Sequence, residues 1–179
     1  MSHELHLHKI GPINDCRLTL DSFTILTGPQ ANGKSTAAKA VYFFRSVKQD
    51  ILSIMMQGGP NAVTGDKVST WSTVLKQRMK DKLLQLFGTS WVMPSDMRME
   101  YQYSKDVSIT VSLEEDYNDS SKNYIVIGFS NSIESYLEAL SSHIFTNITP
   151  AQKEHEEKKL NELFDDPFEP VFIPAGRNL

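Results

Sequence analysis

Residues 23–36 read FTILTGPQANGKST, and the interpretation of this stretch decides the fold. An apolar run, residues 23–26, leads into Gly28-x-x-x-x-Gly33-Lys34-Ser35, the spacing of a phosphate-binding P-loop. A short β-type run precedes the loop, and the helix-forming run AAKAVYFF follows it. Strand, glycine-rich turn and helix form the context in which such a loop cradles phosphate. The alternative is an ordinary strand-to-helix turn.

Each residue type has a physical reason to stand where it does. Gly28 and Gly33 permit backbone angles and close approaches that a Cβ obstructs. Between them, the amides of Pro29, Gln30, Ala31 and Asn32 (proline contributing none) are expected to line an anion nest, aided by the positive end of the following helix. Lys34 is expected to reach the β- and γ-phosphates as the catalytic cation, and the Ser35 hydroxyl to bind Mg²⁺. Thr36 either bonds the α-phosphate or occupies the first helical turn. The expected cofactors are therefore ATP and Mg²⁺.

Working outward, the 179 residues suffice for one domain with a sizeable core. With 40% hydrophobic and 22% charged residues, the composition is that of a folded globular protein. A net charge of -4 provides no general attraction for nucleic acid, although a local basic surface is compatible with it. The single cysteine, Cys16, excludes an intrachain disulfide and reads as a small strand side chain rather than a nucleophile. No apolar run reaches membrane-spanning length and the first ten residues carry no signal segment, which leads to the expectation of a cytoplasmic location without a membrane partner.

Residues 4–10 alternate as a first strand with Leu5, Leu7 and Lys9 on one face. His3, His6 and His8 read as solvent-facing, because no carboxylate or cysteine follows at ligand spacing. Gly11-Pro12 turns the chain into a second strand at 16–20, and 23–27 is the strand feeding the loop. Apolar spacing predicts one helix over 34–56, ended by Gly58-Gly59-Pro60, then an exposed loop at 58–69. Thr70 caps a helix reaching Phe87, with Gly88 beyond its end. Lys76, Arg78, Lys80 and Lys82 crowd that helix, either as a contact for DNA or an acidic partner or as a solvated face interrupted by Asp81.

Residues 97–103, 107–113 and 124–129 read as short strands, an antiparallel hairpin and its neighbour. Asn131 with Glu134, and Thr149-Pro150-Ala151-Gln152, carry helix-start signals. The second of these opens a charged helix to Phe164 that either projects or lies over a neighbouring element. Asp165-Asp166 follows no apolar strand, so it reads as a helix exit at Pro167 rather than a metal site. Residues 171–173, VFI, read as a core strand. The organisation expected is 1–57 for the hairpin, loop and first helix, 58–149 for a helical and antiparallel insert, and 150–179 for the charged helix and last strand.

Three stretches carry a family resemblance: LHLHKIGPINDCRLTLDSFTILTG at 5–28, GPQANGKSTAAKA at 28–40, and VFIPAGRNL at 171–179. On these the chain resembles the N-terminal half of an ABC-type ATPase head, in the group of RecF-like, chromosome-maintenance and overcoming-lysogenization-defect ATPases. The resemblance implies an α/β P-loop fold with a mixed or antiparallel β subdomain. It also implies ATP and Mg²⁺ held by residues 28–36, and a parent protein acting in DNA repair, DNA maintenance or anti-phage defence. Gln102 and Gln152 are available for that family's Q-loop, and Arg177 for a strand end facing nucleotide, DNA or core. The family's signature segment, its Asp-Glu strand end and its switch histidine are not recognisable. The expectation is therefore an N-terminal piece that binds nucleotide and hydrolyses little alone, partnered by a second copy, by the C-terminal half or by a partner subunit. A non-catalytic ATP-dependent clamp and a small P-loop kinase are the alternatives.

Overall fold

The computed structural model describes residues 2–21, 23–65, 69–88, 94–116, 119–143, 145 and 148–173. The elements run β1 (His3–Ile10), β2 (Ile13–Leu20), α1 (Lys34–Arg45), α2 (Val47–Met56), α3 (Pro60–Thr64), α4 (Trp71–Phe87), β3 (Arg98–Ser104), β4 (Val107–Asp116), β5 (Asp119–Phe129), α5 (Asn131–Leu140) and α6 (Pro150–Leu163). The five strands form one sheet in the order β2-β1-β3-β4-β5, and every pairing is antiparallel. Short connections dictate much of this: β1 and β2 meet around Gly11-Pro12, and β3 and β4 around Lys105-Asp106. Links this short reverse the chain, whereas a parallel neighbour needs a crossover of a dozen residues or more.

The period-two pattern places Leu5, Leu7, Met99, Tyr101, Tyr103, Ile109 and Val111 on the buried face. Glu4, Arg98, Ser108 and Thr110 stand on the other, as in a sheet wet on one side. Helices α1, α4 and α5 touch strands, and α4 also packs against α1, α2, α3 and α5. Alternation in β1 carries through Leu7 and then breaks. Lys9 has φ 47°, so Ile10 rather than Lys9 turns into the core. His3 shares the parity of Leu5 and Leu7 and is buried, not solvent-facing.

The helix expected over 34–56 is two helices, divided at Ser46. The Ser46 hydroxyl donates to the Phe43 carbonyl at 3.0 Å, a back-bond of the kind that bends helices. Within the expected loop at 58–69, Pro60 at the first helical position starts the short α3. Helix α4 matches its signals: Thr70 accepts from the Thr73 amide at 3.1 Å, and Gly88 follows with φ 82°. The Thr149–Gln152 capping box forms at α6. The one expected at Asn131 does not, since α5 is preceded by Ser130 without a side-chain cap, and Glu134 turns instead to Lys76 and Ser72.

This architecture overturns the expected fold. A P-loop NTPase of the ABC type is built on a parallel sheet whose strand delivers the loop, whereas this sheet is antiparallel throughout. Residues 23–27, expected as that strand, lie outside the sheet, as do residues 171–173.

Candidate functional site

Residues 28–36 are brought together in a loop at the start of α1. Gly28 (φ 142°), Ala31 (φ 67°) and Gly33 (φ 83°) give its winding path, and the Ala37 amide closes onto the Gly33 carbonyl at 2.8 Å. Gly33 also has a packing reason: a Cβ there meets Ile13 Cγ1 at 2.4 Å, so the loop rests on the β1–β2 hairpin. The Lys34 ammonium donates to the Gly28 carbonyl at 2.8 Å and to that of Pro29, bracing the loop from within. Thr36 is buried in the first turn, while Gln30, Asn32 and Ser35 are exposed.

The wider surface beside this loop is a groove of about 870 Å³. Residues 24 and 26 line one part of it, α1 contributes Ala38, Val41, Tyr42 and Arg45, and residues 165–173 line another. Five of the eight large hydrophobic side chains exposed among the described residues stand on these two segments. They are Phe23 (80% exposed), Ile25 (68%), Phe168 (61%), Val171 (79%) and Ile173 (84%). Phe172 turns the other way, against Tyr42 with ring centroids 5.6 Å apart.

Beneath the groove lies a charged floor that joins distant parts of the chain. Asp166 is 1% exposed and receives the Arg45 guanidinium in two parallel contacts, Nε to Oδ2 at 2.7 Å and Nη2 to Oδ1 at 2.5 Å. Burial alone raises the Asp166 carboxyl; the Arg45 hydrogen bonds and charge outweigh it and hold the group below its usual value. Hydrogen bonding to Asp166 in turn raises Arg45. The Lys48 ammonium donates to the Asp166 carbonyl and, at 2.8 Å, to Asn161 Oδ1, and its burial lowers its pKa. His3 completes the floor. Its Nε2 lies 3.2 Å from the Asp165 carbonyl, which only accepts, so Nε2 carries the hydrogen and Nδ1 accepts from the Tyr101 hydroxyl at 2.9 Å. Burial lowers the His3 pKa and favours this neutral form.

On α4, Lys76 pairs with Glu134 at 2.9 Å, Lys82 pairs with Asp50 and donates to Ser46, and Arg78 donates to the Asp50 carbonyl at 3.3 Å. Three of the four basic residues thus serve intramolecular contacts. Of the glutamines considered for a Q-loop, Gln102 donates to the Ser104 carbonyl at 2.6 Å and Gln152 serves its cap. Arg177 lies outside the described residues. Asp165-Asp166, read as a helix exit, supplies the buried anion of the groove floor; nothing in the local sequence signalled a partner 121 positions away.

A scan against protein-family models, a search of curated proteins and a search of solved structures each gave no match. The ABC-type reading is therefore withdrawn. The RecF-like, chromosome-maintenance and overcoming-lysogenization-defect resemblance has no support from any comparison, and the antiparallel sheet departs from the fold it implied. ATP and Mg²⁺ fall with it as cofactors. The loop spacing is present in residues 28–36, but the strand that its chemistry requires is not formed. Among the described residues no cluster of three or more His, Cys, Asp or Glu is suited to a metal, at Ser35 or elsewhere. The DNA-repair ATPase, the ATP-dependent clamp and the P-loop kinase all depended on that nucleotide and are withdrawn together. Among the described residues no helix is long and apolar enough to cross a membrane.

Proposed function

We propose that this chain is a protein-binding module, and that the groove between residues 23–27 and 168–173 is where a partner polypeptide docks. The observation that carries the reading is the exposure of Phe168, Val171 and Ile173 in the lining of that groove, with Phe23 and Ile25 also exposed on the segment that borders it. Scattered exposed hydrophobics need no explanation, but a contiguous set around a groove marks an interaction site. Full burial of one such side chain is worth roughly 1.5–3 kcal/mol, enough for a few of them to anchor an interface. Beneath them, the Arg45–Asp166 pair and the His3 hydrogen bonds fix the 165–173 segment to α1 and the sheet, which provides a prearranged wall.

The test is selection of linear peptides from a random library on the immobilised full chain, followed by chemical-shift mapping. The expected result is an apolar consensus whose binding shifts residues 23–27 and 168–173 and is lost in Ile25→Asp and Ile173→Asp. Selected peptides that bind both variants as well as the parent chain, or that shift other residues, overturn the reading.

A further inference from the structure

We infer that the partner enters this face as an extended strand, apolar at its centre and basic at its flanks; the inference rests on the docking reading above. Side chains along both segments alternate with the period of a strand. Thr24 and Leu26 line the groove while Phe23 and Ile25 point away into solvent. Phe172 is partly buried against Tyr42, while Val171 and Ile173, which line the groove with it, are exposed. Apolar side chains on both sides of such a segment are the pattern of a strand covered on both faces, and here α1 covers only one.

The main chain points the same way. The backbone groups of 24–27 and 171–173 make no main-chain hydrogen bond to another of the described residues; nearby, Lys34 holds the carbonyls of residues 28 and 29, and the Phe168 amide donates to Asp166 Oδ1. Exposed apolar segments with unpaired N–H and C=O groups are templates for an added strand. An apolar small molecule would cover the side chains and leave these groups unmatched; a strand satisfies both. Residues 23–27 offer about 17 Å of pairing length at the rise of a strand.

Charge selects among strands. Asp21, Asp165 and Glu169 line the groove, and its only lining cation among the described residues, Arg45, is held by Asp166. The unneutralised charge is acidic and favours a strand with lysine or arginine at its ends.

The experiment titrates the full chain with a lysine-flanked octapeptide alternating valine and threonine. Parallel titrations use the same peptide N-methylated at alternate amides and a glutamate-flanked version. Expected are saturable binding of the first, loss of about tenfold or more on N-methylation as main-chain hydrogen bonds disappear, and weaker binding with glutamate flanks. Ile25→Asp and Ile173→Asp, both at exposed positions and checked for folding by circular dichroism, should weaken binding, while Leu84→Lys on α4 should not. Equal binding of the N-methylated peptide overturns strand entry and leaves apolar docking standing. Equal binding with glutamate flanks overturns the basic-flank assignment. If no peptide binds and the chain instead dimerises in sedimentation unless Ile25→Asp is present, the occupant is a second copy and the separate strand is refuted. If neither occurs, both the inference and the docking reading fail.

Discussion

Removing Arg45 or Asp166 should loosen the groove, and the two losses should be unequal and strongly coupled. Asp166 is buried, and among the described residues its carboxylate keeps, beyond Arg45, the Phe168 amide at 3.2 Å as its hydrogen-bond donor, with the Lys48 ammonium acting on it through charge alone. Arg45→Ala therefore leaves a buried anion nearly bare, a change that costs about 3–5 kcal/mol where the partner is fully enclosed. The Arg45 side chain is 27% exposed, so in Asp166→Ala the stranded guanidinium reaches water and the loss should be about 2 kcal/mol. Replacing both with apolar residues, Arg45→Met with Asp166→Leu, removes two desolvation penalties together and should cost less than either single change. Urea denaturation of the four proteins completes the cycle, with a coupling of about 2 kcal/mol or more expected. The pH dependence has a fixed sign. A carboxyl held below its unfolded value stabilises above that value, near 4, and the contribution disappears as pH falls through the lowered folded value. Asp166→Asn should flatten that acid limb. Single losses below about 1 kcal/mol that add without coupling would refute the role given to the pair.

Other perturbations separate packing from surface. Gly33→Ala combines a left-handed φ with a Cβ 2.4 Å from Ile13 Cγ1, so it should cost about 1–3 kcal/mol in urea denaturation, and less when Ile13→Ala makes room. Lys82→Ala leaves the buried Asp50 without its ammonium and should destabilise by about 2 kcal/mol or more, whereas Lys80→Ala on the same helix should stay within about 0.5 kcal/mol. Burial lowers the His3 pKa below 6.5, so the unfolded chain takes up its proton first on acidification. Stability should therefore fall as pH drops from 6.5 through the lowered folded value, and His3→Gln should remove that slope in pH-dependent denaturation.

Much of the fold was legible where local chemistry acts alone. Alternation marked the first strand and β-type runs marked parts of the other four, reaching β2 only from residue 16 and β5 only from residue 124, while Thr70, Gly88 and the Thr149–Gln152 box marked the helix ends at which they act. Errors arose where local and distant terms compete. Residues 23–27 carry a strand-like composition, but a strand also needs a neighbour for its hydrogen bonds, and none of the described strands pairs with them. The Ser46 break depends on a side chain turning back onto a carbonyl, which helical spacing does not register. His3 shares the parity of Leu5 and Leu7 and is buried with them; the missing ligand spacing, which led to a solvent-facing expectation, says nothing about which face of the strand a histidine occupies. Of the candidate site, residues 28–36 were evident from spacing, but their chemical reading assumed a parallel sheet. The groove was not legible at all: Arg45 with Asp166, and His3 with Asp165, meet only after the chain has folded across more than a hundred residues.

The most direct test of the docking account is amide hydrogen exchange, measured on the full chain with and without the lysine-flanked valine–threonine peptide. In the free chain, the amides of 24–27 and 171–173 should exchange rapidly while those within β1 and β3 stay protected; on saturation with the peptide, the first set should become slow. Protection of residues 24–27 in the free, monomeric chain, or exchange there that the peptide leaves unchanged, would contradict the account.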